Sequence, residues 1–215
     1  MSVSSSSSGI HGTRKTIMSD ANPGYYGSHE FRYRATNGIF PRKGEVIYGE
    51  IVGFTTSDTP IMSRQSLDVL KDKAAEKAYG KTITYTYGCE EGECVFHVYR
   101  ITMVNEDAQM VELSWNQMVA RCKELGLTHV TPLDTFIYDG DKEALLKRVQ
   151  ALVDGESGVE TLPSTLDKRH IREGVVVRYE SPDGTDWCKS KSRAFGLLEG
   201  YLKEKEEYID TEEAS

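Results

Sequence analysis

Arg172-Glu173-Gly174-Val175-Val176-Val177-Arg178, followed ten residues later by Cys188-Lys189-Ser190-Lys191-Ser192, decides how this chain is read. Val175 to Tyr179 are β-branched or aromatic apart from Arg178, which predicts an extended segment with side chains alternating between two faces. Glu173 stands at its entrance. The same period of two in Lys189-Ser190-Lys191 puts both ammonium groups on one face, about 7 Å apart along the strand. Ser181-Pro182-Asp183-Gly184 between the strings has turn chemistry, so they are expected to be neighbouring antiparallel strands that bring Glu173 and the lysines towards one pocket. Such a pair of lysines suits a polyphosphate.

Outward from this hairpin, Glu45 to Phe54 and Val95 to Val104 read as strands, and Lys81 to Tyr87 alternates threonine with isoleucine and tyrosine as a third. Residues 14 to 44 carry the turn signals Asn22-Pro23-Gly24 and Thr36-Asn37-Gly38, which predict short strands joined by loops. Ser66 to Tyr79 has the composition of a helix capped by Ser63 or Ser66, and Ser114 to Leu125 that of a helix stopped by Gly126. Asp141 to Asp154 reads as an amphipathic helix with Leu145, Leu146, Val149 and Leu152 inward. Antiparallel strands interrupted by helices make the fold class α+β.

The strings also carry a resemblance. REGVVVR followed by KSKS resembles motifs IV and V of the covalent nucleotidyltransferases, which are the ATP-dependent RNA and DNA ligases and their capping-enzyme relatives. Val46-Ile47-Tyr48-Gly49-Glu50-Ile51-Val52-Gly53 resembles motif III of that group. Phe96-His97-Val98-Tyr99-Arg100-Ile101 resembles motif IIIa, where the family sets an aromatic ring against adenine. The four stand in the family's order. YGEIVG, and KSKSRAF running into LLEG, are similar to an RNA-ligase subgroup found among phage and repair enzymes. The resemblance extends from about His11 to Lys203 and implies a ligase adenylation domain, with antiparallel sheets packed around a nucleotide cleft. It further implies ATP and magnesium as cofactors and RNA ends as the substrate.

Roles follow from the same resemblance. Glu50 is implied to bind the ribose of ATP, Glu173 a divalent metal ion, and Lys189 and Lys191 the α-phosphate, where they also assist the leaving group. Tyr99 is the first candidate for the adenine stack and Phe96 the second; the period of two puts them on opposite faces, so only one can serve. Arg34 is a candidate base from motif Ia. Arg100 departs from the family, which commonly has an acidic residue there. Read without the resemblance, these are exposed strand glutamates, a solvated lysine pair, a core aromatic and a surface arginine.

The nucleophile is the clearest departure. Such ligases work through a lysine in a Lys-x-(Asp/His)-Gly motif, whose amine attacks the α-phosphate of ATP. The nearest string here, Gly9-Ile10-His11-Gly12-Thr13, resembles the motif's Lys-Ile-His-Gly-Thr form with glycine at the nucleophile position. Ser4 to Ser8 before it is an unbroken serine run that reads as linker. The expected organisation is a linker-like start over residues 1–9, an amino-terminally incomplete adenylation domain over 10–203, and an acidic tail over 204–215. Two accounts of the missing lysine stand open: a ligase truncated or engineered at its start, with an upstream or separate chain supplying the lysine, or a noncatalytic ligase-like protein that binds nucleotide or RNA. A DNA ligase or a capping-type guanylyltransferase is the other enzyme reading.

Composition bounds these readings. The chain has 215 residues, 38% hydrophobic and 9% aromatic, ordinary for one soluble domain. No apolar run spans a bilayer and the serine-rich start lacks a secretory h-region, so no membrane is expected and the cytoplasm is the default location. Cys89, Cys94, Cys122 and Cys188 lack the spacing of a disulfide scaffold or zinc site, although Cys89, Cys94 and His97 are conceivable metal ligands. The net charge of −8 owes half its value to residues 203 to 213, with six carboxylates against two lysines. The remainder predicts no broad nucleic-acid patch. One local cluster, Lys168, Arg169, His170 and Arg172, is either an RNA contact or a solvated loop face.

Overall fold

The computed structural model describes residues 12, 13, 17, 30–155, 161–200 and 202. The chain divides into two compact units and crosses between them three times: Met1–Ile61 with Cys89–Thr131, and Met62–Gly88 with Pro132–Ser215. Helices accompany one mixed sheet and two antiparallel two-stranded sheets, an α+β fold.

In the first unit, β1 (Glu45–Gly53) pairs antiparallel with β4 (Cys94–Val104), which also pairs with β5 (Met110–Glu112) and, in parallel, with β6 (Thr128–His129). Between β5 and β6 runs α3 (Trp115–Leu125). Ser114 caps its start by accepting from the Gln117 N–H, Gln117 reciprocates, and Gly126 ends it in the left-handed conformation, so both ends follow from local sequence. Met118 and Cys122 of α3 are buried against Val98 and Ile101 of β4, with Ile47, Phe96 and Leu113 around them.

Strict alternation would separate Val98 from Ile101, three residues apart. The register shifts between Tyr48 and Gly49, which pair with Arg100 and Val98, leaving Tyr99 as the extra residue of a β-bulge. The bulge turns Val98 and Ile101 to the same core and leaves Tyr99 38% exposed. Gly49 lies under the Phe96 ring: a Cβ there would meet Phe96 Cε2 at 2.5 Å and the His97 carbonyl oxygen at 2.6 Å.

One expectation fails in this unit. Glu30–Thr36 is a helix, α1, instead of part of a run of short strands. Only Phe31 of it is buried, so no amphipathic period announced it, and its anchors are tertiary: Cys94 Sγ donates to the Phe31 carbonyl at 3.2 Å. The Asn22-Pro23-Gly24 turn, the serine run and the acidic tail lie outside the described residues.

The second unit holds β7 (Gly174–Ser181) and β8 (Gly184–Lys191), paired through the full register from Gly174 with Lys191 to Ser181 with Gly184. Pro182 and Asp183 form the two-residue turn, as the sequence predicts. The core gathers distant segments: Leu67, Ile83 and Tyr85 pack with Ile171 and with Ala194, Phe195 and Leu198 of α5 (Arg193–Leu198). A short pair, β2 (Gln65–Ser66) with β3 (Thr82–Ile83), closes one side.

The expected helix from Ser66 to Tyr79 is broken in two. A 3-10 turn, Leu67–Leu70, is capped by Ser66, and α2 (Lys73–Tyr79) begins afresh after Asp72, whose side chain accepts from the Ala74 and Ala75 N–H groups. Lys71 between them is left-handed at φ 51°. The expected strand from Lys81 to Tyr87 is regular only at Thr82–Ile83, where Gln65 and Ser66 pair with it, and Tyr87 takes a positive φ, 54°. The helix expected over Asp141–Asp154 forms as α4 (Lys142–Asp154) with Asp141 as its cap. Its inward stripe is Leu145, Val149, Leu152 and Val153, while Leu146 is 68% exposed.

Candidate functional site

The hairpin β7–β8 organises the first set of candidates. Lys189 and Lys191, two apart on a regular strand, share a face, as do the residues paired with them, Val176 and Gly174. Both lysines are exposed, and Lys189 makes no ion pair among the described residues. The Lys191 ammonium lies 5.7 Å from the centre of the Phe195 ring, a cation–π contact that orients it without neutralising it.

Glu173 precedes β7, and its carbonyl accepts from the Ser192 N–H at 2.7 Å, extending the ladder by one rung. It stands at the same end of the hairpin as Lys191. The junction is tight: Gly174 has φ 153°, and a Cβ there would lie 2.1 Å from the Ser190 carbonyl oxygen. Across the strands, Ser192 caps α5 by accepting from the Phe195 N–H at 3.1 Å and donates to the Arg172 carbonyl at 3.1 Å. One buried hydroxyl thus ties the carboxylate's strand, the lysines' strand and the core helix together.

Two further residues share the lysines' face, and sequence reasoning passed over them. Trp187 lies two before Lys189, and Arg178 is its cross-strand partner. The Arg178 guanidinium sits 4.8 Å from the indole centroid and pairs with Glu180 at 2.7 Å. The signal was present, since stepping back by two from Lys189 leads to Trp187.

The first unit holds the second set. Glu50 is exposed on β1 and pairs in register with His97. Tyr48 and Arg100 share that face, with Arg100 5.0 Å over the Tyr48 ring and bonded to Glu112 at 2.6 Å. Arg100, the departure from the family pattern, is therefore satisfied by a neighbouring strand. Phe96 is partly buried against the core, while Tyr99 projects from the bulge and is 38% exposed. Arg34 on α1 is exposed, with its Nη2 donating to the Thr55 carbonyl at 3.2 Å. His97 has its pKa lowered, with burial as the main cause.

The basic cluster is divided between surface and core. His170 is fully buried between Tyr85 and Tyr87, at centroid distances of 4.8 and 4.9 Å. Its Nε2 accepts from the Tyr87 N–H and its Nδ1 faces the Ile171 carbonyl, which fixes a neutral tautomer. Arg169 pairs with buried Asp167, and Arg172 donates to the Leu152 carbonyl. Burial pushes the Asp167 carboxyl up, but hydrogen bonds from Arg169, Thr86 and two backbone N–H groups outweigh it and hold the pKa well below the usual range. Lys168 and Arg169 stay at the surface, Arg169 with 60% of its side chain exposed beside Asp167, while His170 is buried and Arg172 is half-buried.

Among the described residues no group of three or more His, Cys, Asp or Glu side chains is placed to hold a metal ion. Cys89 is instead buried against the Val52 carbonyl and Gly53. No helix of the described residues is long and apolar enough to cross a membrane. Gly9, at the position resembling the nucleophile, lies outside the described residues.

Against known families, the RNA ligase model matches residues 3–192. No curated protein and no solved structure gave a match.

Proposed function

The chain belongs to the RNA ligase family, and on that premise we propose that it is an ATP-dependent RNA ligase adenylation domain with glycine at the position of the nucleophilic lysine. Its substrates are RNA ends. The observation that carries the ATP reading is the hairpin: two ammonium groups two residues apart on one exposed face, at the end where Glu173 joins the same ladder through its main-chain carbonyl. That donor set fits a polyphosphate with its metal ion, because magnesium is commonly held by one or two carboxylates together with substrate phosphates. In this reading Lys189 and Lys191 hold the α-phosphate, Glu173 the magnesium, Glu50 the ribose and Tyr99 the adenine. Arg34, already engaged with the Thr55 carbonyl, is the least supported of the six. Magnesium would shield the phosphate charge that builds as the leaving group departs.

The intact reaction joins RNA ends in three transfers: AMP to a lysine, AMP to a 5′-phosphate, and displacement of AMP by a 3′-hydroxyl. This chain supplies phosphate and nucleoside contacts, and residue 9 supplies no amine. No observation favours a separate chain as donor of that lysine. A truncated ligase and a noncatalytic nucleotide-binding relative differ in one measurable respect. Intact mass after incubation with ATP and magnesium decides between them: a Gly9→Lys variant that gains one AMP, while the parent gains none, supports the ligase. If neither gains AMP yet the parent binds ATP, the binding protein is the better reading.

A further inference from the structure

We propose that Trp187 is a stacking platform for the nucleobase next to the 5′-phosphate of single-stranded RNA, set on the same hairpin face as the lysine pair. The inference rests on the reading of Lys189 and Lys191 as phosphate ligands and extends it from the phosphate to the base.

The face has a graded chemistry along β8. Lys191 and Lys189 supply charge at one end, and Trp187 follows one period later, about 7 Å further along the strand. Val176, paired with Lys189, adds a β-branched apolar surface that is 53% exposed. A strip that runs from two ammonium groups to an indole and a valine matches a nucleotide, which has an anionic end and a flat apolar ring. Phosphate alone would need only the lysines.

The indole is held for the task. Trp187 is 37% exposed even though the Arg178 guanidinium lies over its ring. That guanidinium is anchored by Glu180, and its side chain is only 9% exposed, so it backs the ring as a fixed plate. The guanidinium covers part of the indole, and the 37% of the residue still exposed is what a stacked base would use. Base–aromatic stacking of this kind tolerates any base, so the platform confers a preference for unpaired RNA ends and none for sequence.

Trp115 and Trp187 are the two tryptophans of the chain, so a Trp115→Phe variant leaves Trp187 as the one indole reporter. Titrating that variant with a short single-stranded RNA carrying a 5′-phosphate is expected to quench its fluorescence saturably. Emission unchanged at saturating RNA overturns the proposal. In the otherwise unaltered chain, Trp187→Ala is expected to weaken binding of the same RNA about tenfold, with Trp187→Phe close to the parent and ATP affinity unchanged in both. RNA affinity unaltered in Trp187→Ala also overturns it. The premise fails separately, by undiminished ATP binding in the Lys189→Ala, Lys191→Ala double variant, whatever Trp187→Ala does to RNA.

Discussion

Arg121 grips Glu45 through two nitrogens, Nε to Oε1 at 2.7 Å and Nη2 to Oε2 at 2.9 Å. Glu45 is the first residue of β1 and Arg121 lies in α3, so the pair fastens the helix to the strand that carries Glu50. Their side chains are 0% and 10% exposed. Removing Arg121 leaves the buried Glu45 carboxylate with the Arg42 N–H, at a cost of about 3 kcal/mol, and removing Glu45 costs less because Arg121 keeps its pair with Glu124 at 2.8 Å. Arg121→Ala and Glu45→Ala should each lower the melting temperature accordingly, and Arg121→Lys should restore little because it loses the fork geometry. An unaltered melt in either alanine variant would count against this pair as a fastening.

Acid should destabilise the protein in two stages. Burial holds His170 and His97 below the ordinary histidine value. As pH falls below about 6.5 the unfolded chain takes up these protons first, and stability declines until the folded values are passed. The Arg121 hydrogen bond lowers Glu45, and hydrogen bonds against the opposing effect of burial lower Asp167. Their contribution is intact above the unfolded carboxylate range, around 4, and is lost as pH falls through the folded values. Melting temperature measured from pH 8 to pH 3 should show both declines, and His170→Gln should flatten only the upper one.

Gly174→Ala should disable the hairpin. The added methyl would meet the Ser190 carbonyl at 2.1 Å in a backbone conformation of φ 153°, which costs about 2 kcal/mol or more. ATP affinity should fall with the geometry of Lys191, and a variant that binds ATP as the parent does would show that the junction tolerates the strain.

The orientation of α4 is testable by a pair of variants. Leu146→Glu should change stability by less than about 0.5 kcal/mol because the side chain faces water, whereas Val153→Ala should cost about 2 kcal/mol. Equal effects in chemical denaturation would place Leu146 inward after all.

What could be read from sequence was what local chemistry decides. The β7–β8 turn, the capping box of α3 with Gly126, and the Asp141 cap of α4 are each specified within a few residues. So was the shared face of Lys189 and Lys191, which needs only alternation. The bulge at Tyr99 was not legible, because it answers to the packing of Val98 and Ile101 into one core, a tertiary demand. The burial of His170 was hidden by its basic neighbours, whose charges are engaged by Asp167 and by the Leu152 carbonyl. The break at Lys71 and Asp72 required weighing a cap inside a helix-forming composition against continuity.

The second unit's core carries a consequence for synthesis. Leu67, Ile83 and Tyr85 are covered by Ile171, Phe195 and Leu198, so the earliest residues of that core wait for partners made more than eighty residues later. Such distant closures slow folding and leave apolar surface open in the meantime. A nascent chain released near residue 131 would have every strand of the first unit's sheet and none of the residues from Ile171 onward. On the ribosome the first unit is therefore the earlier to become self-sufficient, and the segment from Met62 to Gly88 is the natural client for a chaperone until α5 emerges.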